Sequence, residues 1–227
     1  MLNVKFNKSK TTRFISHNDM QRGLIRVFKR AGFTPNFSMG YNPHVLLKMS
    51  SPIPLGLVSE SEYFSLSIDN VDKDDFITRC NNVAPTGMEF TASWISSINP
   101  NFAGKVIAAD YIIESTELAA IADRLVEDTK VEFIIPQKSK NGELGRDVSD
   151  TIYSISADSN CVYIRMAFGN TTVRMDKFLQ AVNSRYGINV PLSAATKKEM
   201  LFDNGDGTMI SVSDVLDKLE ASNEVNK

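Results

Sequence analysis

The sequence predicts an α+β fold made of two ferredoxin-like (split βαβ) halves with antiparallel sheets. Over residues 1–98, segments with a two-residue and a helical period follow in the order strand, helix, strand, strand, helix, strand. The plan returns more loosely over residues 108–227. The two stretches also differ in charge. The first 50 residues hold nine Lys/Arg and one acid, a local net charge of +8, whereas residues 51–227 hold 16 basic and 26 acidic groups, a net −10. A basic N-terminal half on an acidic body points to an anionic partner.

Residues 2–8 open the first half as a strand, with Leu2, Val4 and Phe6 on one face. Ser16 and Asp19 have the spacing of a helix cap, the Asp charge favouring the helix dipole. Met20, Leu24, Val27, Phe28 and Ala31 share one face of that helix, and Arg22, Arg26, Lys29 and Arg30 the opposite one. Gly32 ends it and Pro35 prevents its resumption. A turn-rich loop over 37–44 leads to a strand over Val45–Met49. Two prolines and a glycine within Ser51–Gly56 then break regular structure. Glu62–Ile68 alternates as a half-buried strand. Lys73–Asn82 is a short helix with Phe76, Ile77 and Cys80 inward, and Met88–Ser96 closes the half as a strand.

In the second half, Ala109–Glu114 is a strand. Glu117–Asp128 is a helix with Leu118, Ile121, Ala122, Leu125 and Val126 inward. Val131–Gln137 is a strand and 138–142 a polar turn. Val148, Ile152 and Ile155 stand at helical spacing. Cys161–Phe168 is a strand, Met175–Tyr186 a helix stopped by Gly187, Glu199–Phe202 a strand, 203–208 a turn and Val212–Leu219 a last helix. Residues 139–160 exceed the simple plan.

Composition sets further bounds. Hydrophobic residues make up 42% and charged residues 23% of the chain, as in ordinary globular proteins. No apolar run approaches the roughly 18 residues of a membrane span, and the N-terminus has no apolar signal core. Cys80 and Cys161 form no close pair, which argues against a zinc site or a disulfide framework. A cytoplasmic protein that does not engage a membrane is expected.

The candidate chemistry lies in the first 50 residues, which contain both histidines. His17 stands beside the helix cap, where free amides attract anions, and His44 follows a tight Asn42-Pro43 loop. If the two converge near Arg13 and Arg22, they suit general acid–base cleavage of RNA. The structural alternative has His17 packing at the cap and His44 anchoring its loop. No third ligand is fixed by spacing, so no metal is assigned. Arg22, Arg26, Lys29 and Arg30 lack acidic partners other than Asp19, and their mutual repulsion is relieved by an anionic ligand. With Arg13 and Asn42 they form the expected anion-binding or RNA-binding set. Phe14, Phe37 and Tyr41 are either stacking platforms beside those charges or core residues.

Spaced elements over Arg13–Phe64 resemble a known family. They are Arg13-Phe14-Ile15-Ser16-His17-Asn18-Asp19 with Arg22, Arg30-Ala31-Gly32, Phe37-Ser38-Met39-Gly40-Tyr41-Asn42-Pro43-His44, and Pro52-Ile53-Pro54-Leu55-Gly56 with Ser59, Glu62 and Tyr63. Lys140-Asn141-Gly142 and Arg146-Asp147-Val148 weakly resemble a later block. The elements are similar to a bacterial radical S-adenosylmethionine-associated domain of unknown function, in which tyrosine is common where Phe37 stands. The resemblance implies a radical S-adenosylmethionine enzyme as partner. The chain has no CxxxCxxC cluster. Any iron–sulfur cluster and S-adenosylmethionine are therefore expected only in the partner, with no cofactor in this chain.

The leading expectation is a non-catalytic accessory module that binds an anionic substrate, RNA above others, for that enzyme. The alternatives are a metal-independent endoribonuclease resembling the processing enzymes of CRISPR repeat RNA, and a pure protein-docking subunit.

Overall fold

A computed structural model describes residues 1–139, 142–169 and 172–225. Lys140 and Asn141, part of the later resemblance, lie outside the described residues. The architecture is mixed α+β around a mostly antiparallel sheet. The order of elements is β1 (Leu2–Lys8), α1 (His17–Arg30), β2 (Leu47–Met49), β3 (Val58–Leu66), α2 (Lys73–Val83), β4 (Met88–Ile95), α3 (Phe102–Lys105) and β5 (Val106–Glu114). Then follow α4 (Thr116–Ala120), α5 (Ala122–Val131), β6 (Ile134–Ser139), β7 (Gly142–Asp147), β8 (Ile152–Ala157) and β9 (Cys161–Ala167). The last elements are α6 (Met175–Tyr186), β10 (Ala195–Asp203), β11 (Met209–Ser211) and α7 (Val212–Val225).

Nine strands form one sheet, in the order β4-β1-β3-β10-β5-β9-β8, with β2 beside β3 and β11 beside β10. Neighbours within residues 1–95 are antiparallel in the order β4-β1-β3-β2. Those of the later stretch are antiparallel in the order β10-β5-β9-β8. The seam between them is a short parallel pairing of Val58 and Ser59 with Thr196 and Lys197. The β6–β7 hairpin stands apart as its own two-stranded sheet.

Strand alternation divides the core in two. Leu2, Val4 and Phe6 of β1 and Phe64 and Leu66 of β3 face α1 and α2, where Phe6, Phe28, Phe64, Phe76 and Phe90 form a chain of ring contacts. Tyr63 and Trp94, of the opposite phase, belong instead to the larger core built around β5, β9 and α6. Helix α7 reaches back to cover them. Trp94 Nε1 donates to Asp217 at 2.6 Å, and Tyr63 Oη shares a 2.8 Å hydrogen bond with Ser213. Among the described residues, no helix is long and apolar enough to cross a membrane.

Helix α1 starts as its cap predicts: the Ser16 side chain accepts from Asp19 N at 3.2 Å. Four expectations need correction, the first being the strand over Val131–Gln137, since α5 runs to Val131 and β6 begins at Ile134. The helix predicted over Glu117–Asp128 is broken at Ile121 into α4 and α5. Val148, Ile152 and Ile155 do not lie on a helix, since 152–157 is strand β8. A register shift between Ile152 and Ser154 sets the inward residues three apart, which imitates helical spacing. Strand β10 begins at Ala195, well before the expected Glu199.

Candidate functional site

His17 is the first residue of α1, and its ring is half-buried. It lines a cavity of about 20 Å³ with Lys8, Met20, Met49, Ile53 and Glu62, space for about one water molecule. Lys8 continues the inward phase of Leu2, Val4 and Phe6, and Glu62 that of Phe64 and Leu66. Both strands therefore extend their apolar stripes into charge where they meet the start of α1. Lys197, fully buried on β10, completes the cluster.

The Nζ of Lys197 lies 2.7 Å from Glu62 Oε1 and 4.8 Å from the centre of the Phe168 ring. The approach to Glu62 is a buried ion pair. Lys8 Nζ donates to Ile15 O at 2.8 Å. Burial lowers the pKa of both lysines against the opposing pull of Glu62. Burial also holds His17 below its ordinary value. Glu62 opposes that shift and Lys8 adds to it. The imidazole is therefore neutral near pH 7 and able to accept a proton.

The second histidine stands in a different setting. His44 is exposed, with Nδ1 2.8 Å from Ser38 Oγ, and its backbone N–H donates to the same oxygen at 3.1 Å. Ser38 N donates back to His44 O at 2.8 Å, which closes the loop. No hydrogen bond or ion pair among the described residues joins His17 to His44. Arg13 is half-buried, its guanidinium 4.9 Å from the Phe14 ring, and its Nε is buried without a hydrogen-bond partner. Its carbonyl accepts from Gly56 N at 2.9 Å, where Gly56 takes the left-handed φ of +93°. Two elements of the sequence pattern, Arg13–Asp19 and Pro52–Gly56, thus meet beside the cavity.

Arg22, Arg26, Lys29 and Arg30 are exposed along α1, and Asn42 is exposed in its loop. Arg22 pairs with Asp19 at 3.3 Å. Among the described residues, no ion pair engages Arg26, Lys29 or Arg30. The aromatic residues divide from the core: Phe14 is 67% exposed, Phe37 52%, and Tyr41 fully. No cluster of three His, Cys, Asp or Glu side chains among the described residues is placed to hold a metal ion.

Sequence reasoning missed Lys8, Glu62 and Lys197 as site residues. The first two carried a signal, because a charge standing at the next inward position of an apolar strand stripe must find a partner. Lys197 carried none, since Ala195–Lys198 does not alternate.

An α+β sheet protein with a buried Lys–Glu–Lys cluster at its seam and a free basic helix face is thus defined. The chain belongs to the family described as "Uncharacterized protein conserved in bacteria (DUF2344)", whose model matches residues 1–184. The matched region ends inside α6, before Lys197. No curated protein matches the chain.

Proposed function

We propose that this protein binds an anionic substrate, RNA in the leading reading, as an accessory module of a radical S-adenosylmethionine enzyme. The observation that carries the binding reading is the exposed face of α1, where Arg26, Lys29 and Arg30 have no acidic partner among the described residues. Exposed cations that repel one another along a helix gain most from a polyanion. Phe14, Phe37 and Tyr41 support the RNA reading, since their exposed rings offer stacking surfaces that a folded core does not need. The test is the affinity of single-stranded RNA for the wild type and for Arg22→Glu/Arg26→Glu as salt is raised. Affinity indifferent to both sinks the reading.

The partner rests on the sequence pattern of Arg13–Tyr63, which resembles radical S-adenosylmethionine-associated domains. The iron–sulfur cluster and S-adenosylmethionine then belong to that enzyme, and the pair works in the cytoplasm. Reading both halves as split βαβ units fits the antiparallel orders β4-β1-β3-β2 and β10-β5-β9-β8, with β6–β7 as an insertion.

A second reading, endoribonuclease, is favoured by His17, a neutral imidazole in a cavity lined by Lys8 and Glu62. In that reading His17 removes the 2′-hydroxyl proton and a lysine faces the phosphate. Incubation of structured RNAs with wild type and His17→Ala separates the two. RNA bound but left intact by the wild type supports the accessory module.

A further inference from the structure

The two end strands of the path β4-β1-β3-β10-β5-β9-β8 are finished in opposite ways. On β4, the Asn81 side chain accepts from Phe90 N at 2.8 Å and donates to Phe90 O at 2.9 Å. Five residues along, Glu220 accepts from Ile95 N at 2.7 Å and Asn223 donates to Ile95 O at 3.0 Å. Side chains thus occupy the backbone groups that an added strand would use, which seals this edge against further pairing.

The other edge, β8, has no such seal. It pairs with β9 on one side. The Ile152 N–H turns back to Ser149 O, and past it, among the described residues, no hydrogen bond engages the backbone of the other side. Its sequence, Ile-Tyr-Ser-Ile-Ser-Ala, contains no charge, proline or glycine, the devices that usually protect an edge. Tyr153, Ser154, Ser156 and Ala157 are exposed. Acids stand just outside the strand: Asp147 and Asp150 before it, and Asp158 after it, all exposed. Hydrogen bonds from Ser149 to Asp147, and from the Asn160 and Cys161 amides to Asp158, hold these two carboxyls below the ordinary range and so keep them ionised. Glu132, exposed just past α5, adds to the acidic flank.

We propose that β8 is a docking edge for an extended segment of a partner protein, uncharged over the strand and carrying Lys or Arg at its ends. The added strand takes the free backbone groups, and the basic ends meet Asp147, Asp150 and Asp158. Charge selects this occupant over a second copy of the chain. A symmetric antiparallel pairing centred on Ser154 would place Asp150 of one copy opposite Asp158 of the other, at both ends of the ladder.

Hydrogen–deuterium exchange of the full chain tests this with two probe peptides, acetyl-KTVTVTK-amide and acetyl-ETVTVTE-amide. With saturating lysine-flanked peptide, outward amides of 153–157 slow about tenfold, and with the glutamate-flanked one they do not. Ser154→Lys, at an exposed position, loses that protection while its circular dichroism stays that of the wild type. Exchange unaffected by either peptide, or slowed equally by both, overturns the proposal. So does protection that grows with protein concentration in the absence of peptide, which would assign the edge to a second copy.

Discussion

Lys197 and Glu62 meet at 2.7 Å from strands that run parallel for only two residue pairs, at the seam of the sheet. Both are buried, and each offsets part of the other's cost of burial. The pair therefore fixes how β3 and β10 sit together. Phe168 packs beside the ammonium group, and Lys8 lines the same cavity as Glu62.

Removing one partner leaves a buried charge uncompensated, which costs about 3–5 kcal/mol. Glu62→Gln is expected to lose that much in urea denaturation. The double variant Glu62→Leu/Lys197→Met is expected to recover part of it, because it removes the desolvation cost of the pair but leaves Lys8 without the Glu62 charge. A Glu62→Gln protein within about 1 kcal/mol of wild type would show that the pair does not lock the seam.

The His17 ring is predicted to titrate below the ordinary value of about 6.5. Glu62→Gln should move its midpoint lower still and Lys8→Met higher, as read from the imidazole proton shifts by NMR. The unfolded chain takes up this proton first. Stability therefore declines as pH falls from about 6.5 to the folded midpoint, and levels off below it. His17→Gln should remove that decline, and a variant that keeps it would place the titration elsewhere.

Phe28 touches Phe64 and Phe76 at ring separations of 5.4 and 5.5 Å in a fully buried setting. Phe28→Ala should cost about 3–5 kcal/mol through lost burial and the cavity it leaves. The midpoint of denaturation measures it, with the slope unchanged.

For single-stranded RNA, each phosphate contact contributes about 0.7 to the slope of log affinity against log salt. Replacing Arg26 and Lys29 by Ser should therefore flatten the slope by about 1.4 in total. Phe14→Leu should weaken binding and leave the slope in place. A steep slope that survives the loss of both cations would locate the anion site away from α1.

The first half was legible where its elements carry a clear period, as in β1 and α1. Leu2, Val4 and Phe6 alternate, and Met20, Leu24, Val27 and Phe28 share one helix face. The second half was harder for local physical reasons. The register shift in β8 disguised a strand as a helix, and the start of β10 reads as polar because Lys197 is neutralised by Glu62, a residue far away in sequence. The same distance hid most of the seam cluster. His17 was visible as a lone titratable group beside a cap, but the partners that give it a setting lie on β1 and β3 and could not be joined to it by spacing. The exposure of Phe14, Phe37 and Tyr41 was open too, since aromatic residues beside strands are more often buried.

The return of α7 to β4 has a consequence for the order of events in synthesis. Trp94, the chain's single tryptophan, is bonded to Asp217, and Ile95 to Glu220, residues that leave the ribosome more than a hundred positions later. The first half of the sheet must wait through that interval with one face uncovered, during which Tyr63 and Trp94 are open to misassociation. Trp94 is thereby a built-in clock. Its fluorescence should report the docking of α7 as a late phase of refolding, distinct from the closing of the phenylalanine core around Phe28.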